Sequence, residues 1–175
     1  QKLMKSKENL VFLGMMGSGK SSIGSIISKK LGINFIDIDN EIEKKLGMKI
    51  AKIFENKGEK YFRDTELNTT LKILKRNQTV ISLGGGAFLN NRIKKEVLEN
   101  HISFWLNWDI KTLVDRIKNS QKRPVAFRAS KDELIELIKK RSIVYSKAMY
   151  KIDCENLTKN EIVKNILKIY EAHKT

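Results

Sequence analysis

The sequence of 175 residues is long enough for one domain with a buried core, and it contains no run of 18 apolar residues that would predict a membrane span. Its first residues lack the apolar stretch of a signal peptide, and its single cysteine, Cys154, allows no internal disulfide and fits a reducing cytoplasm. The net charge of +15 comes mainly from 28 scattered lysines without a basic block, which favours a lysine-rich surface over a nucleic-acid-binding site.

The first predicted strand leads into a glycine-rich loop. Leu10–Leu13 is a short apolar run, as expected of a strand buried on both faces. Residues 14–21 fit the pattern G-x-x-x-x-G-K-[ST], and residues 21–31 have the apolar spacing of an amphipathic helix. This order of strand, loop and helix predicts a nucleotide phosphate site. In such a site Lys20 reaches the β- and γ-phosphates, and the Ser21 hydroxyl binds Mg²⁺.

The second predicted strand begins at Asn34 and ends in two carboxylates, Asp37 and Asp39. Ligands of doubly wound sheets gather beyond the carboxyl ends of the strands, so this pair is a candidate for ligand binding. The alternative is that Asp39 or Asn40 caps the next helix, predicted over residues 41–46. Capping by either of them would leave Asp37 unexplained.

Two helices are predicted next, over residues 50–56 and 59–75. The second helix carries Arg63 and Glu66 three positions apart, so the two side chains are neighbours on its surface. Either they form an ordinary surface salt bridge, or Glu66 fixes the direction of a functional guanidinium. Periodicity alone leaves both interpretations open.

The third predicted strand, residues 79–83, runs directly into Gly84, Gly85 and Gly86. Three glycines in a row carry a high cost in chain entropy, so we expect a close approach to the backbone there, by a substrate. Ser82 is expected near the Mg²⁺ shell. A helix over residues 90–99 and a fourth strand over residues 102–106 follow.

After the fourth strand the sequence predicts a capped helix and then an irregular segment. Asp109 is the expected cap, and Arg116 lies near the end of the helix. Residues 118–129 show no apolar periodicity, contain the only proline of the chain and include Arg123. Twelve residues of this kind in a compact domain favour a functional lid.

The last third of the chain predicts two further helices and a strand. Ser130 and Glu133 form a capping box that begins a helix running to about Met149, with Arg141 among its apolar positions. The strand Tyr150–Asp153 and a final capped helix follow, joined by a loop that could border an adenine. Five strands alternating with helices predict an α/β fold, a parallel sheet with helices on both faces.

Six motifs, in order and at compatible spacings, together resemble the shikimate kinase family. They are Gly14–Ser21, Phe35-x-Asp37-x-Asp39, Phe62-Arg63-x-x-Glu66, Leu83-Gly84-Gly85-Gly86, Arg123-Pro124 and Arg141-x-x-x-Tyr145. The resemblance implies a single domain over residues 1–175 with the P-loop kinase strand order 2-3-1-4-5. It also implies a substrate-binding helical segment at about residues 39–75 and a short lid at about residues 118–129.

The resemblance further implies a reaction and its residues. The reaction is ATP-dependent phosphorylation of the 3-hydroxyl of shikimate, within aromatic amino-acid biosynthesis. The implied ATP-binding residues are Gly14, Gly17, Ser18, Gly19, Lys20, Ser21, Ser22, Arg116 (packed on adenine) and Arg123. The implied shikimate-binding residues are Asp39, Arg63, Gly84, Gly85, Gly86 and Arg141. Lys20, Asp39 and Arg123 would be catalytic, and Ser21, with Asp37 through water, would hold Mg²⁺.

Two other functions compete with this one. Another small-metabolite kinase on the same fold, such as a gluconate or nucleotide kinase, would have a sugar or base pocket instead of the pair Arg63 and Arg141. A nucleotide switch or RNA-binding protein, suggested by the charge of +15, would need no such pair. We expect a cytoplasmic monomer that acts on a small molecule and binds neither nucleic acid nor membrane.

Overall fold

The computed structural model describes residues 8–120 and 129–175, and the described part contains one parallel sheet. Its strands are β1 (Leu10–Leu13), β2 (Asn34–Asp37), β3 (Thr79–Ser82), β4 (Ile102–Asn107) and β5 (Tyr150–Asp153). They lie in the order β2-β3-β1-β4-β5, and every neighbouring pair is parallel. The predicted fold class and strand order are confirmed.

The described residues form eight α-helices around this sheet. They are α1 (Lys20–Leu31), α2 (Ile38–Leu46), α3 (Ile50–Lys57), α4 (Glu59–Ile73), α5 (Asn91–Asn100), α6 (Ile110–Lys118), α7 (Lys131–Tyr145) and α8 (Lys159–Lys174). A short 3₁₀ turn over Ala87–Leu89 precedes α5. No helix in the described ranges is long and apolar enough to cross a bilayer.

The central strand β1 is buried along its whole length because both faces of the sheet are covered. Leu10 and Phe12 pack into one apolar layer with α1 and α8, and Val11 and Leu13 pack into the other with the remaining six helices. This explains why β1 is an apolar run without alternation. The parallel strands all end at one edge of the sheet, where the loops that follow them meet.

The N-terminal cap of α2 differs from the prediction. The helix begins at Ile38, and its cap is Asp37, whose Oδ1 accepts from the Asn40 backbone N–H at 3.1 Å. The prediction that Asp39 or Asn40 provides the cap is therefore wrong. Asp39 lies in the first helical turn, where its carboxylate interacts favourably with the helix dipole.

Two boundaries beyond β4 also differ from the sequence prediction. Asp109 occupies the cap position of α6 but makes no side-chain cap, and its own backbone N–H donates to Glu155 at 3.0 Å. Helix α7 ends at Tyr145 and not near Met149. The Met149 backbone N–H donates instead to Ser103 Oγ of β4 at 2.8 Å, which turns the chain into β5.

A buried polar cluster at the opposite edge of the sheet holds a neutral histidine. His101 is 4% exposed, and its Nδ1 accepts from the Asn9 backbone N–H at 3.3 Å, so Nε2 carries the proton that faces Glu96 at 3.0 Å. The Asn9 side chain in turn accepts from the Thr79 N–H at 3.0 Å. Protonation of Nδ1 would break the contact that joins this cluster to β1.

We expect His101 to make folding stability depend on pH. Burial lowers the pKa of His101 below its usual value, against the opposing pull of Glu96. As pH falls through about 6.5 toward the lowered pKa, the unfolded chain binds more protons than the native one, so the free energy of unfolding decreases. Urea unfolding at a series of pH values should show a smaller decrease for His101→Leu than for the wild type. An unchanged dependence of the unfolding free energy on pH in His101→Leu would contradict the assignment.

Candidate active site

The loop between β1 and α1 has the backbone of an anion-binding loop. Gly14, Gly17 and Gly19 have φ values of 144°, 81° and 89°, which other residues rarely adopt. Gly14 is also tightly packed, since a Cβ there would lie 3.0 Å from the Leu106 carbonyl oxygen. These positions therefore require glycine for backbone reasons, and the loop leads directly into the N-terminus of α1, which favours anions.

Two side chains of this loop fit a phosphate ligand. Lys20 is nearly buried, and its Nζ donates to the carbonyl oxygens of Gly14 at 2.8 Å and Met15 at 3.1 Å. The Ser18 Oγ is buried and has no hydrogen-bond partner within residues 8–120 and 129–175. A buried hydroxyl without a partner is costly, so an incoming anionic oxygen would satisfy it. The donor set fits a polyphosphate.

The outer side of the same loop is held by two residues from the β4–α6 region. Trp108 Nε1 donates to the Ser18 carbonyl oxygen at 2.8 Å, and Arg116 Nη1 donates to the Gly17 carbonyl oxygen at 2.9 Å. The Arg116 guanidinium carbon lies 4.0 Å from the centre of the Trp108 ring. The structure thus places Arg116 beside the loop. Sequence reasoning did not select Trp108, although its position just after a strand at the site edge was a usable signal.

Three side-chain oxygens of the kind that bind Mg²⁺ lie close together at the carboxyl ends of β2 and β3. The Ser21 hydroxyl donates to Asp37 Oδ2 and lies 3.4 Å from Ser82 Oγ. Asp37 and Ser82 are brought together because they are register partners in the sheet. No group of three or more His, Cys, Asp or Glu able to hold a metal occurs in the described part of the chain. A hydroxyl and one carboxylate suit Mg²⁺, which keeps several waters and binds substrate phosphates.

A cavity of about 210 Å³ joins the loop to these strand ends. Its lining residues include Gly17, Gly19, Lys20, Ser21, Ser22, Asp37, Asp39 and Ser82. Lys20 and Asp39, predicted to be catalytic, therefore lie in the same cavity. Both would face a group bound beside the loop.

A second cavity of about 340 Å³ contains the two predicted arginines. It is lined by Glu59, Arg63, Glu66, Gly86, Leu89, Asn90 and Arg141. Arg63 Nη1 donates to Glu66 Oε1 at 2.7 Å, and the Glu66 side chain is only 4% exposed, so this is not the surface salt bridge that the sequence left open. Burial raises the pKa of the Glu66 carboxyl, while the Arg63 guanidinium opposes that shift.

Arg141 is the residue of this cavity that most needs a ligand. Its Nη1 is buried and has no hydrogen-bond partner among the described residues. A buried guanidinium N–H without an acceptor is costly, and a carboxylate accepts from guanidinium groups in a planar, bidentate geometry. With Arg63 on the same wall, the cavity fits a small molecule that carries a carboxylate.

The glycine turn after β3 lies between the two cavities. A Cβ on Gly84 would lie 2.6 Å from Glu66 Oε2 and 2.9 Å from Asp39 Oδ1, and a Cβ on Gly86 would lie 2.8 Å from Arg63 Nη2. The expected close approach to the backbone is present, but the protein's own side chains make it. Gly84 therefore allows Asp39 of the first cavity and Glu66 of the second to converge.

Helix α7 fixes the middle of this turn. The Tyr145 hydroxyl, one helical turn after Arg141, donates to the Gly85 carbonyl oxygen and lies 3.8 Å from Met15 Sδ of the phosphate loop. Burial raises the pKa of Tyr145 to about 12, so the hydroxyl keeps its proton at neutral pH. One side chain thus joins the arginine helix, the glycine turn and the phosphate loop.

Most of the predicted lid lies outside the residues that the structure describes. The segment 121–128, which contains Arg123, is not among them, so the role of Arg123 and the lid stay predictions from the sequence.

Cys154, in the loop expected to border an adenine, is fully buried, and burial raises the pKa of its thiol to about 12. Its thiol is therefore not a nucleophile at neutral pH.

Comparison with known proteins identifies similar chains. A family profile described as "Shikimate kinase" matches residues 16–171. A shikimate kinase of Thermodesulfovibrio yellowstonii is 38% identical over 165 residues, which cover 94% of this chain and 95% of the relative.

Solved structures of shikimate kinases are also similar to this chain. A shikimate kinase from Acinetobacter baumannii in complex with shikimate has a TM-score of 0.90 and 27% identity, covering 99% of both chains. A shikimate kinase from Aquifex aeolicus has a TM-score of 0.85 and 34% identity, covering 94% of this chain and 97% of the other. The similarity therefore extends over nearly the whole described fold.

Proposed function

Because the chain belongs to the shikimate kinase family, we propose that it transfers the γ-phosphoryl group of ATP to the 3-hydroxyl of shikimate, in aromatic amino-acid biosynthesis. The family expected from the six motifs is confirmed. The single observation that carries the substrate is the buried, unpartnered Nη1 of Arg141 in a cavity that also holds Arg63 and adjoins the phosphate loop. Shikimate is a small carboxylate triol, so it supplies the missing acceptor.

The phosphate loop is proposed to bind the ATP phosphates. Lys20 would exchange the carbonyl oxygens of Gly14 and Met15 for β- and γ-phosphate oxygens, and Ser18 would donate its free hydroxyl. Arg116 would lie along the adenine, and Gly14, Gly17, Gly19 and Ser22 would complete the loop contacts, as the resemblance implies. Arg123 is proposed for the transferring phosphate on the resemblance alone.

Mg²⁺ is proposed to bind beside Ser21, with Asp37 holding one of its waters. The ion would neutralise charge that develops on the phosphate oxygens during transfer. The hydrogen bond between Ser21 and Asp37 supports the proposal because it already aims two hard oxygen donors at one position. Ser82 Oγ, 3.4 Å from Ser21 Oγ, would contact the surrounding water shell.

The second cavity is proposed to orient shikimate. Arg63 and Arg141 would hold its carboxylate, and the backbone of Gly84, Gly85 and Gly86 would form the wall beside the ring. The hydrogen bond to Glu66 would fix the orientation of the Arg63 guanidinium. Asp39, at the junction of the two cavities, would then face a ring hydroxyl and accept its proton or fix its direction as it attacks the phosphoryl group.

The proposed reaction is tested by a coupled ADP-release assay. ATP and Mg²⁺ are supplied with shikimate, gluconate, a nucleoside or the methyl ester of shikimate at equal concentration. ADP release should depend on shikimate, and the ester should be a poor substrate because it offers no charge to the arginine pair. Equal turnover with gluconate or the nucleoside would contradict the proposal and favour the other small-metabolite kinases.

Arg141→Lys should raise the KM for shikimate by about 10- to 100-fold while leaving the KM for ATP nearly unchanged. Lysine keeps the positive charge but loses the planar, bidentate donor pair. Steady-state kinetics with each substrate varied in turn measures the effect. The control is Lys140→Ala, an exposed neighbour on the same helix. A change confined to the KM for ATP would show that Arg141 does not hold shikimate.

We also propose that the enzyme acts as a monomer in the cytoplasm and has no nucleic-acid partner. All residues proposed for both substrates come from one chain, so the site needs no second copy. The one cysteine is buried and unpaired, which fits a reducing compartment. Size-exclusion chromatography with light scattering, and retention on RNA at low and high salt, test these points.

A further inference from the structure

We propose that Trp108 is a positioning residue of the phosphate loop, whose indole N–H sets the direction of the Ser18–Gly19 peptide and whose ring supports Arg116. The proposal rests on the proposed function only in taking the ligand of the loop to be a polyphosphate. Trp108 itself lies outside the loop motif.

The indole of Trp108 fixes the orientation of one peptide bond of the loop. Trp108 Nε1 donates to the Ser18 carbonyl oxygen at 2.8 Å. In a trans peptide the carbonyl and the following N–H point in opposite directions, so this contact turns the Gly19 N–H away from Trp108. Gly19 lines the first cavity, so we expect the N–H turned away from Trp108 to face an anion bound there. The indole thus orients a donor that it does not touch.

The Ser18–Gly19 peptide needs a restraint from outside the loop. Gly19 has a φ of 89° and no side chain, so its backbone has access to more conformations than any other residue would. Trp108 supplies the restraint from a rigid base. It follows β4 directly and packs against the apolar layers on both faces of the sheet.

Arg116 is exposed, but two contacts hold its side chain in place. Its guanidinium lies 4.0 Å from the Trp108 ring centre, and its Nη1 donates to the Gly17 carbonyl oxygen at 2.9 Å. Two neighbouring loop carbonyls, of Gly17 and Ser18, are therefore held by two side chains that stack on each other. Lys20 holds other carbonyls from the inner side, but it is proposed to leave them for phosphate. The outer contacts of Trp108 and Arg116 do not depend on that exchange.

The experiment compares Trp108→Phe, which keeps an aromatic ring without the N–H, with Trp108→Leu, which loses both. Calorimetry measures the Kd of ATP, tripolyphosphate and adenosine for each full-length variant. Trp108→Phe should weaken ATP and tripolyphosphate by about threefold to tenfold, the usual effect of one hydrogen bond, and leave adenosine and the KM for shikimate unchanged. Trp108→Leu should weaken ATP further because Arg116 loses its support.

The matched control is Tyr150→Phe, which removes one hydroxyl contact, to His173 Nδ1 at 3.0 Å, away from the loop. It should leave all four constants unchanged. Wild-type affinity for tripolyphosphate in a folded Trp108→Phe protein would overturn the proposal. So would equal weakening of ATP and shikimate with a lowered Tm, since that indicates only a structural role. If the wild type instead released no ADP with shikimate, the proposed function would fail while tripolyphosphate binding still tested Trp108.

Discussion

Lys20→Ala is expected to lower kcat by about 10²- to 10³-fold, the usual effect of losing one preorganised charge contact in a transition state. The nearly buried ammonium lies within reach of the loop carbonyls of Gly14 and Met15, in the same cavity as Ser21 and Asp39. Charge develops on the phosphate oxygens during transfer, so the ammonium contributes more to the transition state than to ATP binding. The KM for ATP should change much less than kcat.

The structure adds a second consequence that the motif did not predict. Because Lys20 also holds two loop carbonyls, the variant should lose some order in the free loop. Lys20→Met keeps most of the apolar stem but loses the same ammonium, so it should match Lys20→Ala in kcat and shows whether lost packing of the stem adds to the effect. Lys30→Ala, an exposed lysine on the same helix, is the control for loss of charge alone. Wild-type kcat in a folded Lys20→Ala or Lys20→Met protein would rule out the assigned role.

The fold could be predicted well because its signals are local. The central strands β1, β3 and β4 are short and almost entirely buried, and the capping boxes at Ser130 and Thr158 are present with both of their hydrogen bonds. The end of α7 could not be predicted, because Ser103 of β4, far away in sequence, captures the backbone N–H of Met149. The cap of α2 was ambiguous because Asp37, Asp39 and Asn40 are all good capping residues.

Residues of the candidate site could be identified from the sequence, but the extent of their burial could not. Periodicity placed Arg63 and Glu66 side by side without showing that Glu66 is buried, since burial depends on how α4 packs against the glycine turn. The three glycines suggested close approach to the backbone, and only the structure shows that Glu66, Asp39 and Arg63 are the neighbours. Trp108 was missed because an isolated tryptophan after a strand is more often a core residue than a loop support.

Asp39→Asn is expected to lower kcat by about 10²- to 10⁴-fold if the carboxylate accepts the proton of the attacking hydroxyl. Asparagine keeps the shape and one acceptor oxygen but loses the charge and the basicity. The structure makes the test sharper than the sequence did. Asp37 provides the cap of α2, so replacing Asp39 removes no cap and should leave the Tm nearly unchanged.

A matched control comes from the same helical turn. Glu41 is also a first-turn carboxylate of α2, and it pairs with Lys44 at 3.8 Å and lines neither of the two cavities described above. Glu41→Gln should therefore reproduce any loss of favourable interaction with the helix dipole, which amounts to about 0.3–1 kcal/mol, without affecting catalysis. Steady-state kinetics and thermal melts on both variants distinguish the effect of losing a negative charge near the N-terminus of α2 from an effect on catalysis.

The position of Asp39 decides what each result would mean. Its Oδ1 lies beside Gly84, between the first and the second cavity, so a ring hydroxyl of a molecule whose carboxylate is held by Arg63 and Arg141 would be presented to it. A large fall in kcat with an unchanged Tm and an unchanged KM for ATP supports a direct role toward that hydroxyl. An unchanged kcat would remove Asp39 from the chemistry. The proton acceptor would then have to be Asp37, across the same cavity, or an oxygen of the substrates themselves.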